Sequence, residues 1–343
     1  MALATVYPNE DWQRCPPEQV GLKAAPLAGL EAWLTSQASD RLYRVLVVRH
    51  GRMVIEHLQG LAPTERLGIA SAAKSLYSSM LGIAIAEGRL PSADARVVDY
   101  YPEMMDVPEG YGPKAGRYAF EKDRAITFRQ LISNTSGYMK PGEAPGQVFH
   151  YQTYGMNILM HALGKIYGVY DSQNPGTQPT VAPLIDRMLK EPIGGSWTYR
   201  YNNFEHPSGA RTGIFGYYTT PEVSAHDMAR LGLLWLSMGR WDGVQVVPRD
   251  WMKEATQVAP MIREHCPGEQ WRYGYGFWTN THHQMWPGLP SDAFAAVGAG
   301  QHLVWACPSL DLVVVQSPGI YGRDVTDPLC RHILDTVVNA VEE

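Results

Sequence analysis

The chain is short of cysteine, of charge and of long apolar runs. Its 343 residues include four cysteines, Cys15, Cys266, Cys307 and Cys330. They lie far apart, which excludes a disulfide framework or a zinc-ligand spacing and leads us to expect free thiols in a reducing compartment. Charged residues are 18% of the chain and the net charge is −5. That balance supplies no basic face for a phosphate backbone, so nucleic acid is not an expected partner. No stretch reaches the ~18 apolar residues of a membrane helix, so no membrane partner is expected either. The first ten residues lack a basic start and a long apolar run, as in a protein without a signal peptide, and the expected location is cytoplasmic. Several motifs are also missing. There is no Gly-x-Ser-x-Gly elbow, no phosphate-binding Gly-Lys-Ser/Thr loop and no His-Glu-x-x-His. His282 and His283 are adjacent and cannot both face one metal from a regular element. Gly298-Ala299-Gly300 lacks the third glycine of a dinucleotide loop. Neither metal nor cofactor is therefore expected.

What is present is a large apolar supply. At 45% hydrophobic residues the chain can bury a sizeable core, while 33 Gly and 25 Pro imply many loops. Ala24 to Ser36 has helical spacing through Leu27, Leu30 and Leu34. Leu42–Arg49 and Met53–His57, joined by His50-Gly51-Arg52, predict a β-hairpin. Gly68 to Ile83 predicts one amphipathic helix, ended by Glu87-Gly88. Between Pro91 and about Pro207 strand-like runs are few, helical pieces appear at Thr127–Ile132 and Asn157–Gly164, and Asp171–Thr180 reads as an exposed loop. Pro221–Ser237 and Trp251–Thr256 predict helices. Strands are expected at Gly274–Trp278, His302–Trp305 and Leu312–Gln316, and a closing helix at Asp327–Val341. Strands at both ends with helices between them imply an α/β sandwich. One antiparallel sheet is built from both chain ends and flanked by helices, with a mostly helical inserted domain. The expected division is 1–70 with 215–343 for the sheet domain and 71–214 for the insert, with the active site in the cleft between them.

The chemistry centres on Ser71 and Lys74. Residues three apart share a helix face, so hydroxyl and amine can meet. If that turn is buried, the amine loses hydration, its pKa falls, and it can take the serine proton. Ser-x-x-Lys recurs by chance, so the rest of the chain has to decide. Tyr151 follows the Pro145-Gly146 turn and is a candidate proton relay, whose phenol a nearby ammonium would push toward phenolate. A packed aromatic is the alternative. Gly298-Ala299-Gly300-Gln301 opens a late strand and could bring backbone N–H groups to the oxyanion, or be a plain turn.

The ordered set resembles the serine β-lactamase and penicillin-binding-protein superfamily. It is most similar to the class C β-lactamase-like branch of esterases, D-aminopeptidases and 6-aminohexanoate-dimer hydrolases. The similarity runs from Pro17–Leu22 through Ile69-Ala70-Ser71-Ala72-Ala73-Lys74-Ser75, Ala86–Leu90 and Val98–Glu103. It continues through Ile126–Gly137, where Asn134 replaces a usual His, then Asp227–Gly232, Trp241-Asp242-Gly243 and Gly300-Gln301 before Pro308–Val315. The resemblance implies that Ser71 is the acylated nucleophile, Lys74 its proton partner and Tyr151 the motif tyrosine. It also implies an oxyanion hole from the backbone N–H groups of Ser71 and Gln301, and substrate contacts at Thr153, Gly298 and Gly300. Thr153 stands where Asn is usual, and Gly298 where Lys or His pairs with a substrate carboxylate, a contact worth roughly 1–3 kcal/mol. The implied activity is a serine hydrolase acting through an acyl-enzyme on a small ester or amide. Two alternatives remain open: a β-lactamase or D-aminopeptidase-type amide hydrolase, with Arg211 or His302 supplying the cation, and a catalytically silent binding protein. Tyr138, Tyr154, Tyr217 and Trp305 hint at an apolar acyl or alcohol group, and homo-oligomerisation stays open.

Overall fold

The computed structural model describes residues 3–176, 180–203 and 209–342. Pro207, the expected end of the strand-poor stretch, and residues 177–179 of the Asp171–Thr180 loop fall outside them. The hairpin forms from β1 (Tyr43–Arg49) and β2 (Arg52–Gln59). His50 and Gly51 both have positive φ, 49° and 71°, the primed turn whose twist matches that of the strands it joins. β3 (Leu67–Gly68), β4 (Thr198–Asn202) and β5 (Tyr218–Val223) make a small antiparallel sheet in the order β3-β5-β4. β6 (Arg240–Trp241) and β7 (Val244–Gln245) are a minor hairpin. β8 (Trp278–Thr279), β9 (Phe294–Gly298), β10 (His302–Cys307) and β11 (Leu312–Gln316) complete a six-stranded sheet ordered β2-β1-β11-β10-β9-β8. Its pairings are antiparallel, and β1 from the start of the chain lies beside β11 from its end.

This sheet separates two cores. Tyr43, Val45 and Val47 of β1 point to one face with Leu303, Trp305, Leu312 and Val314. That face is covered by α1 (Ala24–Ala28), α2 (Leu30–Ala38) and the terminal helix Pro328–Asn339. Leu46, Val48, Val304, Val313 and Val315 point to the other face, against α3 (Ala73–Ala86) and the helix Ala225–Leu236. Strands covered on both faces carry apolar residues at consecutive positions, which is why residues 45–48 of β1 and 312–315 of β11 read as hydrophobic runs. The long middle of the chain adds α4 (Phe128–Ile132) and α5 (Tyr154–Ile166) on the far side of α3.

Several expectations are corrected. The helix expected over Ala24–Ser36 is two helices broken at Gly29. The helix expected from Pro221 starts at Ala225, because Pro221 belongs to β5 and the Ser224 hydroxyl caps the helix by accepting from the Asp227 N–H. Only Trp278 of Gly274–Trp278 is in a strand, while β9 precedes the late glycines. Gly298 therefore closes a strand, and Ala299-Gly300-Gln301 turns between β9 and β10. The helix after Ser71 is not amphipathic. Residues Ala73 to Ala84 are all buried, as in a helix with neighbours on every side.

Candidate active site

Local backbone builds the site where the two sheets meet. β3 pairs with β5, the Ile69 N–H continues that pairing to Pro221 O at 3.2 Å, and the chain then turns sharply. Ala70 has φ 47°, a left-handed conformation costly for a residue with a Cβ. Ala70–Ala72 form a 3-10 turn, so Ser71 sits on the shoulder before α3 and Lys74 in its first turn. On the far side Gly276 has φ 79°, and a Cβ there would lie 2.6 Å from Lys74 O. The Ser75 hydroxyl donates to Gly276 O at 2.7 Å and ties this segment to α3.

Lys74 Nζ donates to Ser71 Oγ at 2.6 Å. The lysine is 3% exposed, and burial pushes its pKa from 10.5 down to about 7. Nζ lies 4.7 Å from the centre of the Tyr151 ring. That ring is flanked by Tyr273, edge-on at 5.6 Å, and Trp278 at 5.4 Å. The Tyr151 phenol is pushed up to about 12 by burial, an effect its contact with the Ser71 hydroxyl only partly offsets. This reverses the expected shift. A lysine brought close to neutrality offers little positive charge to stabilise phenolate, and desolvation dominates.

Beside Ser71 lies a cavity of about 220 Å³, bounded by Ala70, Lys74, Tyr77, Thr153, Tyr218 and Ala299 among others. Thr153, at the N-cap of α5, and Met156 and Asn157 within that helix face the cavity, the i, i+3, i+4 positions of one side. Opposite stand Tyr218, Thr219 and Thr220 of β5, with the Tyr77 hydroxyl bonded to Thr219 O at 2.5 Å. Of the expected substrate contacts, Thr153 lines this cavity and the two glycines do not. A Cβ on Gly298 would meet Ile69 O at 2.1 Å and Ala72 N at 3.0 Å, so β9 ends flush against the Ser71 turn. Gly300 and Gln301 have φ 90° and 59° in the neighbouring turn, where Ala299 reaches the cavity wall.

The two alternative cations lie elsewhere. Arg211 pairs with Asp106 at 3.1 Å beside a different cavity. His302 is buried, shares a hydrogen bond with Ser317 Oγ at 3.0 Å, and is pushed down to about 4 by burial and the Arg44 charge, so it is neutral. The four singled-out aromatics also lie off the wall. Trp305 belongs to the opposite face of the main sheet, Tyr138 donates to Met104 O at 2.7 Å, Tyr154 packs on Phe215 and Tyr217 on Tyr201. The cavity's aromatics are Tyr77 and Tyr218. Tyr77 is one turn beyond Lys74, as Asn157 is beyond Thr153, and those spacings were the available signal. Nothing local in the sequence marked β5.

The Beta-lactamase family model matches residues 42–177. Solved structures share the fold at low identity. A penicillin-binding protein homologue from Caulobacter crescentus is 15% identical over 93% of this chain and 99% of its own, with a TM-score of 0.66. A family VIII carboxylesterase is 14% identical over 95% and 98%, with a TM-score of 0.67. Simvastatin synthase from Aspergillus terreus is 13% identical over 92% and 98%, with a TM-score of 0.65. No curated protein matches the sequence. The fold is that of the serine β-lactamase and penicillin-binding-protein-like proteins.

Proposed function

We propose that this chain, carrying the serine β-lactamase-like fold, is a serine hydrolase that forms an acyl-enzyme on Ser71 with small neutral carboxylic esters, and with small amides second. The observation that carries the reading is the 2.6 Å contact from Lys74 Nζ to Ser71 Oγ, made by an amine that burial brings to a pKa of about 7. Near neutral pH a large share of that amine is uncharged and can take the serine proton as Oγ attacks the carbonyl. The backbone N–H of Ser71 and one from the β9–β10 turn, where Ala299 rather than Gln301 reaches the cavity wall, hold the oxyanion. Tyr151, kept protonated by its raised pKa, gives its proton to the leaving group and takes in return the one Lys74 gained from Ser71, so the amine is neutral and the phenol protonated again before deacylation. Water then attacks the ester of Ser71, and Lys74 takes and returns the proton again. An ester is favoured because alkoxide leaves with less help than an amide nitrogen. Arg211 and His302, the cations a free carboxylate would call for, are engaged elsewhere, which favours neutral substrates.

Fluorophosphonate labelling tests this. We expect a stoichiometric adduct that maps to Ser71 and disappears in Ser71→Ala. Absence of labelling in the native chain would leave the silent binding protein as the better account.

A further inference from the structure

The segment carrying Tyr151 is irregular, and one residue holds it on both sides. Asn134 O accepts from the His150 N–H at 2.9 Å, and Asn134 Oδ1 accepts from the Gln152 N–H at 3.0 Å. The two amides that flank Tyr151 therefore end on a single asparagine. Asn134 is 2% exposed and has φ 57°, a left-handed conformation that asparagine tolerates better than most residues. It lies one residue past Ser133, the C-cap of α4, whose start is fixed by reciprocal bonds between Thr127 and Gln130. Its side chain also interacts with the Tyr273 hydroxyl, and the Tyr273 ring packs edge-on against Tyr151. One residue thus touches both the chain segment of Tyr151 and the ring that packs against it.

We propose that Asn134 is a positioning residue for Tyr151. By clamping the peptide on either side, it fixes where the phenol stands relative to Ser71 and Lys74. The inference rests on the reading above that Tyr151 serves the acyl transfer. Asn134 touches no reacting atom. Its contribution is geometric, and a displacement of about 1 Å in a catalytic group can cost about 10²-fold in rate.

The variants Asn134→Gly and Asn134→Asp separate the parts. Glycine keeps the positive φ and the backbone acceptor but deletes Oδ1, whereas aspartate keeps an acceptor there. Each is made in the native and the Tyr151→Phe chain, with turnover of p-nitrophenyl acetate and a crystal structure as readouts. For Asn134→Gly we expect kcat to fall about 10²-fold, with KM within about twofold. Asn134→Asp should restore most of the loss, and the Tyr151 hydroxyl should be displaced only in the glycine variant. In the Tyr151→Phe chain the same glycine change should cost almost nothing more. An equal loss in both backgrounds, or an unmoved hydroxyl in Asn134→Gly, overturns the proposal. A displaced hydroxyl with full turnover overturns instead the role given to Tyr151, and leaves the clamp itself standing.

Discussion

Replacing Lys74 by methionine gives the sharpest test of the electrostatics. Burial lowers this ammonium from 10.5 to about 7. At about 1.4 kcal/mol per pH unit, the folded chain bears roughly 5 kcal/mol against the charged form. Between pH 7 and 10.5 the unfolded chain binds the proton and the folded chain does not, so native stability rises with pH across that window. Below pH 7 both states are protonated and the full penalty is present. Methionine has similar reach and no charge, and removes the penalty at the loss of one hydrogen bond to Ser71, about 1–3 kcal/mol with a charged partner. Lys74→Met should therefore be more stable than the native chain at pH 6 by up to about 4 kcal/mol. That advantage should shrink by about 1.4 kcal/mol per pH unit between pH 8 and 10. Urea denaturation at pH 6, 8 and 9.5 reads this directly. In the native chain the acylation rate should climb through a midpoint near pH 7, as the neutral amine appears. A stability difference that does not change with pH would refute the reasoning, since Lys74 would then titrate as an ordinary lysine and could not serve as base near neutrality.

Other outcomes follow from the same geometry. Tyr151→Phe keeps the ring packing against Tyr273 and Trp278 but loses the proton relay. Its kcat on p-nitrophenyl acetate should fall about 10²- to 10⁴-fold with little change in KM. Gly298→Ala forces a methyl into the space of Ile69 O, so its melting temperature should drop by an amount equivalent to about 1–3 kcal/mol. Turnover should fall with it, because the displaced neighbour is the Ser71 turn. Nitrocefin should be hydrolysed at no more than background rate, and turnover well above background would restore the lactam reading.

Much of the layout was legible because periodicity reports burial. The β1–β2 hairpin, the β11 run and the terminal helix each carry a local pattern that their final environment requires. The Ser71–Lys74 contact was legible from spacing, and its strength followed from burial. The sign of the Tyr151 shift was not, because it depends on whether the neighbouring lysine keeps its charge, which only three-dimensional burial decides. β5 was hidden because Pro221 and Thr219–Thr220 carry no alternating pattern, and its pairing with β3 and β4 is long-range. The cavity wall it forms was hidden with it. Gly298 looked like a lost cation; its place against Ile69 O shows a position where the backbone approach leaves no room for a side chain.

The central claim is that Ser71 becomes acylated, and intact mass spectrometry of the rapidly quenched protein tests it most directly. The native chain, mixed with a panel of small esters, amides and lactams, should gain the mass of the acyl group with neutral esters first. The adduct should map to the peptide containing Ser71, and Ser71→Ala should gain nothing. An unmodified native protein across the whole panel, or an adduct that persists in Ser71→Ala, would contradict the account.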